Sequence, residues 1–190
     1  MVRDYPRVEV RSRHQLRAWL QKNHKTDSAI WLVTFKKHCA EDYVSYDAIV
    51  EEALCFGWID STVRTLDADR LMHLLSPRRA GSTWSLVNKE RLTKLRNDKL
   101  MTEVGEAKVR SAKKDGSWTL LDDVEKLIMP DELAVAFAKN RVAAQHYEAF
   151  TRGEKKILLW WIKSAKRPET REKRIAATVR AAAKGELATG

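Results

Sequence analysis

The sequence predicts an α+β protein, with a small, mainly antiparallel sheet and helices in the N-terminal half and an all-helical C-terminal half. Two observations carry this. Segments rich in β-branched and aromatic residues, or alternating with period two, all fall before Met101. From there to the end every patterned segment has helical spacing, so the expected division is an α+β domain over 1–100 with a helical domain over 101–190 packed against it.

Element by element, Tyr5 to Val10 (YPRVEV) is short and β-prone, and Ser12 then precedes a helical pattern through Leu16, Trp19 and Leu20. Ala29 to Lys36 (AIWLVTFK) is too short for a typical helix and reads as a central strand. Ser45 is a suitable N-cap, and Tyr46, Ile49, Val50, Ala53, Leu54 and Gly57 follow helical spacing. Gly57 is placed to end that helix with φ > 0, and Trp58 to fold back on its last turn. Ile59 to Leu66 and Arg70 to Leu75 both alternate around Asp67-Ala68-Asp69, which predicts a hairpin that Pro77 ends. The loop SPRRAGSTWS leads into a helix from about Ser85 to Lys99. Further helices follow over 103–114, stopped by Asp115-Gly116, then over 131–139, 142–150, 154–166 and 169–184, with Pro130 and Pro168 at helix starts.

Composition narrows the function classes. The longest apolar run, Ile157 to Ile162, is far short of the roughly 20 residues that span a bilayer, and MVRDYPRVEV lacks an export-signal pattern. The expected location is therefore cytoplasmic, with Cys39 and Cys55 as free thiols. The five histidines never form HxxxH or stand beside a CxxC pair, and no Walker A or GxGxxG motif occurs, so neither metal nor cofactor is expected. Cys55 lies near a helix C-terminus, where the dipole disfavours a thiolate nucleophile.

The formal charge is +10, and it is uneven: residues 151–190 carry eleven Lys/Arg against four Asp/Glu. Lys163, Lys166, Arg167, Arg171 and Arg174 belong to this basic surface, which suits nucleic acid or an acidic protein, or else a solvated exterior. A second excess covers Ser76 to Arg96, with six basic residues against Glu90. Within it, Arg78, Arg79, Ser82, Thr83, Trp84 and Ser85 combine fixed charge, hydroxyls and a helix N-terminus, a pattern suited to phosphate or carboxylate, with Arg64 nearby. The same residues admit a plainer reading, in which Ser82 or Ser85 is an N-cap and the arginines pair with Asp60 or Asp67. Strict alternation puts Asp60 on one face with Thr62 and Arg64, and gives it a catalytic option as general base beside a bound anion.

Taken together, ALCFGWIDS, SPRRAGSTWSLVN, AKKDGSW and AKRPETREKRI resemble the bacteriocin-protection family, also called YdeI-like or OmpD-associated, in order over nearly the whole chain. The sequence departs from the family pattern at Asn97 to Met101, where a glycine is expected before Met101. The resemblance implies bacterial protection against bacteriocins or cationic antimicrobial peptides, and brings no catalytic residues. A basic chain is a poor direct trap for cationic peptides, so a protective role would be indirect. The resulting expectation is a non-enzymatic anion-binding module. The alternative is an enzyme acting on a small phosphorylated or carboxylated metabolite.

Overall fold

Side-chain caps set most helix starts in the computed structural model, which describes residues 5–25 and 28–188. The first four residues, part of the stretch read for an export signal, lie outside them. Ser12, Ser45, Ser85 and Thr102 each accept a backbone N–H three residues on, opening α1 (Arg13–Asn23), α2 (Tyr46–Cys55), α3 (Leu86–Asn97) and α4 (Glu103–Asp115). A cap of this kind is worth about 1 kcal/mol.

Among the described residues four strands form one mixed sheet: β1 (Arg7–Glu9), β2 (Ile30–Phe35), β3 (Trp58–Thr65) and β4 (Arg70–Pro77), in the order β1-β2-β4-β3. Only the β1–β2 pair is parallel. Asp67 builds the β3–β4 turn, its Oδ1 accepting from the N–H groups of Asp69 and Arg70. The register places Ile30, Leu32, Trp58 and Leu75 on one sheet face, where Leu16 and Leu20 of α1 and Ile49 and Leu54 of α2 complete a core. Trp84, Leu92 and Leu95 join the same core, as do Val109 and Ala112 of α4.

Gly57 ends α2 with φ +72°, as the sequence predicts, and Trp58 is buried directly after it. The missing glycine before Met101 is resolved differently. Lys99 itself adopts φ +56°, and the N–H of Leu100 closes the helix end on the Leu95 carbonyl at 2.9 Å.

The chain divides into two compact units, Met1–Thr119 and Leu120–Gly190, so α3 and α4 belong with the sheet. The second unit holds α5 (Asp122–Glu125), α6 (Asp131–Ala138), α7 (Arg141–Ala149), α8 (Arg152–Lys163) and α9 (Pro168–Ala182) around its own core of Leu133, Phe137, Tyr147, Leu158, Ile162 and Ile175. A reciprocal Thr151–Glu154 capping box starts α8, and Pro168 occupies the first turn of α9. The short α5 was not anticipated, because four residues are too few to show a helical period. Among the described residues no helix is long and apolar enough to cross a membrane.

Candidate anion-binding site

The β3–β4 hairpin delivers Arg78. Its backbone N–H continues the sheet pattern to the Gly57 carbonyl at 2.9 Å, and its guanidinium lies 3.7 Å from the centroid of the Trp84 ring. Trp84 is 1% exposed and Arg78 only 2%, an unusual degree of burial for a cation. Nη1 donates to the Thr83 carbonyl at 3.1 Å, but Nε and Nη2 are buried with no partner. Burial pushes the Arg78 pKa down to about 10, against the opposing pull of the Asp60 charge, so the group remains a cation at neutral pH.

Arg78 and Trp84 line a cavity of about 110 Å³ together with Arg79, Ser82, Lys108, Asp115 and Ser117. Ser117 is buried there beside Asp115, whose carboxyl its side chain and backbone N–H hold below the usual range. Lys108 reaches the site because α4 approaches α2 very closely. A Cβ on Gly105 would stand 2.4 Å from the Cys55 carbonyl oxygen, and one on Gly57 would stand 2.6 Å from Lys108 Cγ. The one carboxylate in the lining is already engaged: Asp115 accepts from the N–H of Gly81 at 3.0 Å and from that of Ser117 at 2.9 Å. Unspent donors and positive charge around a small cavity are complementary to a single oxyanion. The C-terminal end of α4 opposes an anion by roughly 0.3–1 kcal/mol. Each charge-assisted hydrogen bond returns about 1.5–3 kcal/mol, so the donors outweigh it.

The residues singled out in the sequence separate on folding. Arg78, Arg79, Ser82 and Trp84 share the cavity. Thr83 contributes a carbonyl to Arg78, and Ser85 is the N-cap of α3, bonded to the Asn88 N–H at 3.3 Å. The free donors therefore sit on an arginine side chain and not at the helix N-terminus where they were expected. The expected pairings with aspartate do not form either, since Asp67 is held by Arg70 and Asp60 by Tyr46, whose hydroxyl donates at 2.5 Å. A β-bulge between Asp60 and Val63 breaks the alternation on which Asp60 and Arg64 shared a face. Arg64 turns to the other face of the sheet, over the Trp31 ring, and does not reach the cavity.

Beside Asp60, the Tyr46 ring stacks on buried His73, whose Nε2 contacts Thr34 Oγ1 at 3.1 Å. Burial lowers the His73 pKa, while burial and the bond to Asp60 push Tyr46 up to about 12. Asp60 is not part of the cavity lining around Arg78. Cys55 is fully buried, and its thiol is pushed up to about 11, chiefly by burial, which argues against a thiolate nucleophile.

Sequence reasoning missed Lys108 and Ser117. Ser117 stood within the quoted motif AKKDGSW, but nothing in its spacing ties it to an arginine 39 positions earlier. On the basic surface, Lys163 is paired with Asp123 and Arg171 with Glu132, while Arg174 donates to the Trp161 carbonyl and to Ser164 Oγ. Lys166 and Arg167 are exposed.

Two family models match the chain. Residues 8–108 match a family described as Domain of unknown function (DUF8412), and residues 126–185 match Bacteriocin-protection, YdeI or OmpD-Associated. The motifs ALCFGWIDS and SPRRAGSTWSLVN fall in the first match and AKRPETREKRI in the second, so the resemblance expected over nearly the whole chain is divided between two families. Neither the curated proteins nor the solved structures yield a match.

Proposed function

From the premise that this chain belongs to the DUF8412 family and carries a bacteriocin-protection, YdeI or OmpD-associated domain in its C-terminal part, we propose that its first unit binds a small oxyanion, a phosphate or carboxylate group, at Arg78. One observation carries the reading: Arg78, 2% exposed, lines a cavity and keeps two buried guanidinium nitrogens without a partner. Hydrogen bonds left unmade on a buried charge are costly, so an arginine that makes one bond to Thr83 and stacks on Trp84 still favours a ligand that completes the rest. Lys108 and Arg79 add charge, and the cavity has room for an oxyanion with a water molecule or two, each water filling about 30 Å³.

Binding is favoured over catalysis because Asp60, the candidate general base, is engaged by Tyr46 and lies outside the cavity lining. A protective role of the kind named for the C-terminal domain would run through the bound anion, since a +10 chain repels cationic peptides.

Titration calorimetry of the full chain with inorganic phosphate and with acetate, at fixed ionic strength, tests this. One-site binding to at least one of them is expected. Arg78→Met should weaken it by about tenfold or more, and Lys108→Ala by less, because Arg78 supplies two hydrogen bonds of about 1.5–3 kcal/mol each. Binding to neither anion, or binding indifferent to both substitutions, refutes the reading.

A further inference from the structure

Away from the Arg78 cavity, two loops meet at one end of the sheet. His38 and Cys39 lie in the turn that follows β2, and Asp69 lies in the β3–β4 turn. The loops are stitched together by Lys36, whose backbone N–H donates to the Asp69 carbonyl at 2.7 Å. Its ammonium donates to the carbonyls of Asp67 and Ala68, both at 2.8 Å. In a strand, neighbouring side chains point to opposite faces, but the turn over residues 37–40 brings those of His38 and Cys39 to the same side. A His38 ring nitrogen, Cys39 Sγ and an Asp69 carboxylate oxygen all lie within 4.8 Å of one another, and His38 Nε2 is 3.0 Å from Asp69 Oδ1.

We propose that His38, Cys39 and Asp69 form a three-ligand site for a zinc-class divalent cation, with its fourth position open to solvent. The donor set of thiolate, imidazole and carboxylate is the one zinc takes, and unlike the all-oxygen sets of calcium and magnesium. Ligands at zinc bond lengths of about 2.0–2.3 Å stand roughly 3.5 Å apart, so separations of up to 4.8 Å close by at most about 1.3 Å while the 3.0 Å His38–Asp69 contact opens slightly. The side chains that must move are free to do so, those of His38 and Asp69 being 59% and 62% exposed. The neighbouring carboxylates do not compete for the ion, because Asp42 is held by Arg11 and Asp67 by Arg70.

Local desolvation, then the charges of Asp69 and Asp42, raise the Cys39 thiol pKa against the smaller opposing pull of Lys36, and the net negative field favours a cation. Binding breaks the His38–Asp69 hydrogen bond and releases the thiol proton to solvent, so affinity rises with pH. The spacing rules that excluded zinc from the sequence do not reach this site, since two ligands are adjacent and the third is thirty positions on.

Cobalt(II) titration of the full chain tests the site optically. The expected result is a near-ultraviolet thiolate-to-cobalt charge-transfer band saturating at one equivalent and displaced by zinc. It should be absent in Cys39→Ser, weakened in affinity in Asp69→Asn, and unchanged in Arg78→Met, which separates this site from the anion cavity. No band in the native chain, a band that survives Cys39→Ser, or equal affinity in Asp69→Asn overturns the proposal. The substituted side chains sit in surface loops, and far-ultraviolet circular dichroism checks that each variant is folded.

Discussion

Arg78 and Lys99 are single residues held in costly states, and the two differ in what relieves them. For Arg78 the cost is electrostatic, a desolvated cation with spare donors, and the proposed anion would relieve it. For Lys99 it is conformational: a side chain at φ +56° meets the steric penalty of the left-handed region, roughly 1 kcal/mol, and no ligand changes that. Lys99→Gly should therefore raise the stability of the chain, by about 0.5 kcal/mol once the extra freedom of glycine in the unfolded state is set against the relieved strain. Urea denaturation of the two proteins measures it, and a less stable glycine variant would mean that the Lys99 side chain contributes more than its strain costs.

Between elements, α4 and α2 depend on glycine for their approach. Thr102 both caps α4 and bonds the Cys55 carbonyl at 2.5 Å, tying the start of one helix to the end of the other. Gly105, one turn further, lies against the same carbonyl, 2.4 Å from where a Cβ would stand. The atom in the way is backbone, so it cannot swing aside. Gly105→Ala should destabilise the first unit by about 1–3 kcal/mol despite the better helix propensity of alanine, worth about 1 kcal/mol. The shifted α4 should also weaken the proposed phosphate binding by displacing Lys108. Thermal denaturation and calorimetry on one variant report both effects, and an unchanged melting temperature would count against this account of the contact.

Across the molecule, the sequence-wide charge of +10 overstates what is available to a polyanion. Lys163 and Arg171 are bridged to acids, and Arg174 is turned inward onto carbonyl and hydroxyl oxygens. Duplex DNA binding is accordingly expected to be weak and non-specific, present at low salt and lost by about 0.15 M. Phosphate binding at Arg78 should persist there, because a desolvated contact is screened less. A mobility-shift series across salt concentrations checks this, and tight DNA binding at physiological salt would restore the C-terminal helices as the main interaction surface.

The sequence by itself determined the α+β class, the hairpin and most helix starts, though it missed α5 and began α8 two residues late. Caps, glycine stops and hydrophobic period act within a few residues and are written locally, as at Ser45, Gly57 and Asp67. It also picked out Arg78, Arg79, Ser82 and Trp84 as a group, because they are close in the chain. Tertiary structure alone decided which of the neighbouring residues share the cavity. A one-residue bulge sends Arg64 to the far face, close helix packing brings in Lys108, and the fold decides that Asp60 is spent on Tyr46. The physical reason is that side-chain direction and desolvation depend on contacts between distant segments, and no local pattern encodes the burial that leaves Arg78 with two unspent donors.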